Sequence, residues 1–367
     1  MQQETKRRGA ATDEATARAA ELEVKLQRIR RLLDRRGAPA VALSSRESLA
    51  WLFGGARVTV PTNGDPVLSA VVSADDLTLH VYSNERERLL DEELPTPQTA
   101  TVVDHPWFAP LPGTAGQLPS GGVLREADAV HDLRALRAPL LPIEAARYRA
   151  LGEEVAAAVT RVATGARPEQ TERAVAAALS RELVGLGAEP IVLLVAGRSR
   201  LGLRHPLPTE EPVGGRAMLV VGARRHGLIV NLTRWIGSEP HSEGADARLF
   251  EVEADAFEAT RPGRTLAEIL GDIATSYREH GFAADEWIRH HQGGPTGYAG
   301  RDPRATPVAA DVAVAWQAFA WNPSAPRVKV EDTVLIGDRR PDVLTVDPSW
   351  PSRAVRGIER PLALPFA

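Results

Sequence analysis

The strongest constraint on what this chain can fold into is the order in which its second half lays down helices and strands. Residues 144–164 and then 168–187 (PEQTERAVAAALSRELVGLG) carry helical periodicity. Three strand-like runs follow: PIVLLVAG (190–197), RAMLVVGARR (216–225) and HGLIVNLTRWIG (226–237). Two further helices fit 248–260 and 266–281, separated by the turn RPGR. The remainder is β-rich, at 313–322, 328–337 and 341–347. No short period recurs, which argues against a solenoid or a propeller. The expected fold class is therefore α/β of the α+β kind.

The first half reads as a separate, smaller α/β domain. Leu22, Leu26, Ile29, Leu32 and Leu33 recur at helical spacing, and Gly37 and Pro39 end the helix they define. The polar first twenty residues are expected to be a flexible extension. AVAL (40–43) reads as a buried strand and RESLAWLFGG (46–55) as a short helix stopped by a glycine pair. PVLSAVVS (66–73) and LTLHVYS (77–83) alternate as paired strands, and ERERLLDEEL returns to helix. The expected organisation is an extension over 1–20, an N-terminal domain over 21–138 and a second domain over 139–367.

Composition removes several function classes. The 367 residues carry a net charge of −4 with acids and bases interspersed, which gives no general attraction to nucleic-acid phosphate. No apolar run reaches the roughly 20 residues that cross a bilayer, and the N-terminus lacks an apolar signal core. A cytoplasmic protein with neither a membrane nor a nucleic-acid partner is expected. The absence of cysteine excludes disulfides, thiolate nucleophiles and thiolate metal sites. Only three residues are lysine (Lys6, Lys25 and Lys329) against 41 arginines, so a lysine near a functional motif stands out. No phosphate-binding loop, dinucleotide fingerprint or serine-nucleophile elbow is present.

Five motifs in fixed order carry a resemblance: RHPLP (204–208), GLIVNLTRW (227–235), HHQGGPTGY followed by Arg301 and Asp302 (290–302), FAWNPS (319–324) and KVEDTVLI (329–336). Together they resemble the creatinase, prolidase and aminopeptidase P group, the pita-bread fold of the M24 peptidases. The resemblance covers about 140–355, and the N-terminal region is similar to the creatinase N-domain. It implies a creatinase-like N-terminal domain followed by a pita-bread domain.

Metal-dependent members of that group hold two divalent ions with two Asp, one His and two Glu. Matched onto this sequence, those positions are Val220, Asn231, Gly294, Asn322 and Glu331. One carboxylate does not hold two hard cations, so a site without metal or other cofactor is expected, as in a metal-poor branch of the family. A shifted site on His290, His291 and Glu331 is the alternative.

Creatinase works without metal through a histidine, and the matching position here is His205, whose imidazole can exchange protons near neutrality. His290 matches a second pocket histidine. If both His290 and His291 lie on a strand, alternation turns one inward, and His290 is the expected one. Glu331 completes the expected catalytic set, with a buried salt bridge to Arg234 or Lys329 as its structural alternative. Arg234, Arg301, Asn231, Asn322, Tyr298 and Gln292 are the expected substrate contacts, and Gln292, Gly293, Gly294 and Gly297 are expected to leave a small polar space. The N-domain segment RESLAWLFGGARVT resembles the stretch that completes a partner's active site in creatinase. That implies a homodimer with contributions from Trp51 and Arg57.

The expected function is a metal-independent hydrolase or lyase acting on a C–N bond of a small amino-acid-like or peptide-like molecule. Two alternatives stand beside it: a non-catalytic binding module of the same fold, and an Xaa-Pro peptidase-like enzyme with a displaced metal. Creatinase itself fits poorly, because a cationic guanidinium substrate needs more acids than this pocket keeps.

Overall fold

A computed structural model describes residues 2–95, 100–114, 121–237, 244–337 and 340–366, with side chains from residue 16 onward. The chain divides into two compact units, Met1–Glu144 and Ala145–Ala367.

In the first unit the opening helix runs over Gln2–Arg36 and takes in residues 2–20. Their Ala, Glu and Arg content favours that conformation. Leu22, Leu26, Ile29, Leu32 and Leu33 are all buried, as their spacing requires. Gly37 ends the helix with φ 59°, and the Ala38 amide donates back to the Leu33 carbonyl at 3.1 Å. The sheet has five strands in the order Thr101–His105, Leu77–Tyr82, Leu68–Ser73, Ala40–Leu43, Leu124–Arg125. The two outer strands, absent from the sequence reading, pair in parallel with their neighbours. Arg46–Leu52 is a short helix capped by the Ser45 side chain.

Trp51 departs from its expected role. Its side chain is fully enclosed in this unit, under the Lys25 ammonium, which also bonds the Trp51 carbonyl and forms buried ion pairs with Glu21 and Glu144. An enclosed indole is not presented to a second chain. Arg57 remains on the surface, bound to Glu93.

The second unit begins with the helices Pro142–Gly165, which crosses from the first unit, and Glu172–Gly185. A three-stranded antiparallel sheet follows, Glu189–Gly197, Ala217–Arg225 and Leu228–Ile236. The last two strands join through His226 and Gly227, both at positive φ (49° and 72°), the geometry of a tight hairpin turn. Helices Ala245–Ala259 and Leu266–Glu279 come next, the second opened by a capping box between Thr265 and Glu268. A four-stranded sheet runs in the order Asp342–Val343, Asp332–Leu335, Ala318–Trp321, Gly293–Thr296. Phe250, Phe257, Leu266, Ile273, Tyr277, Phe319 and Trp321 form the core between these helices and that sheet.

Two sheets meet where the site lies. The Thr233 amide donates to the Glu331 carbonyl at 2.9 Å, and the Thr333 hydroxyl exchanges hydrogen bonds with the backbone of Asn231. These contacts fix the strand of GLIVNLTRW against that of KVEDTVLI.

Candidate functional site

His205 sits on the loop after the short helical turn Arg198–Arg200 and is exposed to solvent. The adjacent Arg204 anchors the loop from inside, bonding the Ser324 hydroxyl at 2.9 Å and pairing with the buried Glu286. His290 follows the helical turn Glu286–Arg289 and is buried. The two rings meet: Nε2 of His290 lies 3.1 Å from Nε2 of His205.

His290 and His291 do not belong to a strand, which begins only at Gly293. Alternation therefore does not separate them. His291 stacks on His290 with ring centroids 4.5 Å apart and on His205 at 5.8 Å, so all three imidazoles form one cluster. In the sequence reading His291 has a role only as a ligand of the alternative shifted metal site with His290 and Glu331. Adjacency in HHQGG is the signal that could have placed it.

The electrostatics of the cluster follow from its surroundings. Burial and the Lys329 ammonium push the His205 imidazole below its usual value, against the opposing pull of Glu331. Burial drives His290 down to about 2, with Lys329 and the other two histidines adding to it. Burial, Arg301 and Arg304 take His291 to about 4. At neutral pH the three rings are uncharged and lie in a positive potential.

Glu331 is buried, and both its oxygens are committed: Oε1 to Arg301 at 2.8 Å, Oε2 to Lys329 and the Thr233 hydroxyl. Burial pushes its carboxyl up, but Lys329 and Arg301 outweigh that and hold it at about 2. A carboxylate so held is a poor proton acceptor. These pairs are the buried salt bridge expected as its structural alternative, made to Lys329 and to Arg301 in place of Arg234.

Several expected substrate contacts have partners within the protein. Arg234 pairs with Asp332 at 2.9 Å and bonds the Thr345 carbonyl, on a network continued by Arg360 to Glu253. The sequence reading missed Asp332 and Arg360 entirely. Gln292 is a bracket, its amide nitrogen donating to the carbonyls of Trp287 and His290 while its oxygen lies 2.9 Å from the Tyr277 hydroxyl. Asn231 is tied to Thr296 at 3.4 Å, and Tyr298 is buried just past the strand. Asn322 differs: its side-chain oxygen is buried with no hydrogen-bond partner. Nδ1 of His290, Nδ1 of His291 and Nε of Arg301 share that condition. Unpaired buried polar atoms are costly, and a group of them in one motif set is where a ligand is expected to make up the deficit.

The expected polar space is closed at Gly293 and Gly294 but not at Gly297, where a Cβ would meet nothing within 4 Å. A Cβ on Gly294 would stand 3.0 Å from both the Pro303 carbonyl oxygen and the Ala305 nitrogen, and one on Gly293 would strike the Ala320 carbonyl oxygen at 2.1 Å. The backbone occupies the volume that a ligand side chain at 294 would need. With Val220 and Gly294 offering no ligand atom, Asn231 and Asn322 neutral, and Glu331 already neutralised by two side-chain cations, the residues do not fit a pair of divalent ions.

No protein-family model and no curated protein matches the chain. Solved structures do. A prolidase from Pyrococcus horikoshii superposes with TM-score 0.70 at 20% identity, over 88% of this chain and 98% of its own. The dipeptidase PepE from Mycobacterium ulcerans gives TM-score 0.75 at 16% identity, over 95% and 99%. The N-terminal domain of the FACT complex subunit SPT16 from chickpea gives 0.65 at 13% identity, over 89% and 96%. The chain thus has the pita-bread fold, an α+β architecture shared with prolidases and dipeptidases.

Proposed function

We propose that this protein is a metal-independent hydrolase or lyase that acts on a C–N bond of a small, amino-acid-like or peptide-like substrate carrying an anionic group. The observation that carries the reading is the contact of exposed His205 with buried His290 beside Lys329, Arg301 and Arg304. A neutral imidazole open to solvent is suited to take a proton and return it. His290 behind it receives or supplies the hydrogen bond that sets its tautomer. Three cations against the single acid Glu331 favour a substrate carboxylate. Asn322 Oδ1, buried and unpaired, is suited to accept from a substrate N–H.

The proposal includes a two-fold homodimer, in which Arg57 rather than Trp51 is the surface group available to a partner, and a cytoplasmic setting. No helix among the described residues is long and apolar enough to cross a membrane. The fold does not choose between an enzyme and a binding module, since it serves both a prolidase and a FACT subunit.

The test is a panel of Xaa-Pro dipeptides, N-acyl amino acids and N-amidino amino acids, assayed with chelator-treated protein. Turnover that survives chelation and falls about a hundredfold in His205→Ala is expected. Turnover that returns only with added manganese or cobalt would overturn metal independence. Binding of a panel member without turnover, equal in wild type and His205→Ala, would establish the binding module instead.

A further inference from the structure

We propose that His205, His290 and His291 form a mononuclear site for a divalent ion of the zinc, nickel and copper class, separate from the dinuclear position matched to Val220, Asn231, Gly294, Asn322 and Glu331. The three residues come from two segments far apart in sequence, yet one nitrogen from each lies within 4.8 Å of the others. Zinc–imidazole bonds of about 2.0–2.1 Å at tetrahedral angles put ligand nitrogens about 3.3 Å apart and ring centroids about 5 Å apart. The observed Nε2 to Nε2 distance between His205 and His290 is 3.1 Å, and the centroid separations are 4.5, 4.8 and 5.8 Å. The His291 ring, now stacked at 29° on His290 and 25° on His205, must turn for its nitrogen to face the same point.

A second observation points the same way. Nδ1 of His291 is buried with no hydrogen-bond partner, so this ring brings to the cluster a nitrogen that the protein itself does not satisfy.

The surroundings decide which ion. Among the described residues no carboxylate belongs to the cluster, and Lys329, Arg301 and Arg304 act on its rings against Glu331. Magnesium and calcium, which need several anionic oxygens, are refused. An ion that bonds well to neutral imidazole is not. The surplus of positive charge then favours an anion, such as a carboxylate, at the open coordination position. Exposed His205 gives the ion its entry.

The inference does not rest on the proposed reaction. A metal held here would take His205 out of proton exchange and so act as an inhibitor of that chemistry. Binding is measured directly, with no assay of turnover. Full-length, chelator-stripped protein is titrated calorimetrically with zinc chloride, and separately with magnesium chloride. One zinc per chain is expected, weakened at least about tenfold in both His205→Ala and His291→Ala, the effect expected from losing a ligand. Magnesium should give no heat, and His131→Ala, on the exposed face of the first unit, should match wild type. Cobalt bound in place of zinc should show the intense visible absorption of a four-coordinate site. Failure of zinc to bind at one per chain, or binding unchanged by His291→Ala, would overturn the site. Since His291 is half-buried and His205 exposed, these variants are expected to fold, which circular dichroism checks.

Discussion

Glu331 and Asp332 are neighbours in sequence and opposites in circumstance. Glu331 faces the histidine cluster, with Arg301 and Lys329 on its two oxygens. Asp332 faces the core, where Arg234 takes Oδ1 at 2.9 Å, Arg360 takes Oδ2 at 2.7 Å, and the Thr345 hydroxyl adds a third bond. On the Asp332 side both carboxylate oxygens are bonded, and the atoms left without a hydrogen bond, Nε of Arg360 and the Glu253 oxygens, face each other as a buried ion pair at 2.6 Å. The Glu331 side leaves polar atoms unsatisfied around it, at His290, His291, Arg301 and Asn322. A satisfied buried network fixes a fold, whereas a half-satisfied one is expensive to keep unless a ligand completes it. Two consecutive residues thus carry one charge paired inside the core and one paired at the edge of the histidine cluster.

The harshest way to break that contrast is Asp332→Ala. Two buried guanidinium groups would lose their common partner, and a loss of about 4 kcal/mol in unfolding free energy is expected. A denaturant midpoint within error of wild type would show that the core network is not what holds these strands. His205→Ala should do the reverse, costing about a hundredfold in turnover and no more than about 0.5 kcal/mol in stability. Parallel activity and denaturation measurements read both quantities.

Gly294→Ala sharpens the comparison from the backbone side. It puts a methyl group 3.0 Å from two backbone atoms at a φ of 137°, and a loss of about 2 kcal/mol is expected. An unchanged melting temperature would mean that the Pro303–Ala305 segment yields freely. The smallest effect is in pH. Glu331 has its folded pKa pulled below its usual 4.5, to about 2. The stability it contributes is therefore present above about 4.5 and fades as pH falls toward 2. The histidines, also lowered, add loss of the same sign from about 6.5 downward, because there the unfolded chain binds protons that the folded chain does not. Acid denaturation of Glu331→Gln should start from a lower plateau and lack the steepening below pH 4.5.

Much of the fold was legible because burial wrote itself into periodicity. Ala40–Leu43, Leu68–Ser73 and Leu77–Tyr82 fall within a residue or two of their expected bounds, since each alternates or is wholly apolar. The tail hairpin Ser352–Val355 and Ile358–Pro361 escaped notice, because its strands are largely exposed and its turn carries Arg356 at φ 49°. The expected strand over 313–322 begins only at Ala318, after Trp316 takes a positive φ of 62°. For the site, motif order located His205, His290 and Glu331 in one neighbourhood. Which partners each would take was not written there, since Arg234 could reach either of two adjacent acids and only the packed strand decides for Asp332.

The closed backbone at Gly294 bears on any attempt to design a two-metal enzyme from this chain. Restoring acids at Val220, Asn231 and Asn322 would place anions beside Lys329 and Arg301, which would pair with them before any ion did. A histidine at 294 would find its place taken by main chain. The order of redesign is therefore forced: the 303–305 segment must be rerouted first, the two cations removed second, and ligands added last. Single substitutions selected for metal-dependent activity would meet a dead end at the first step.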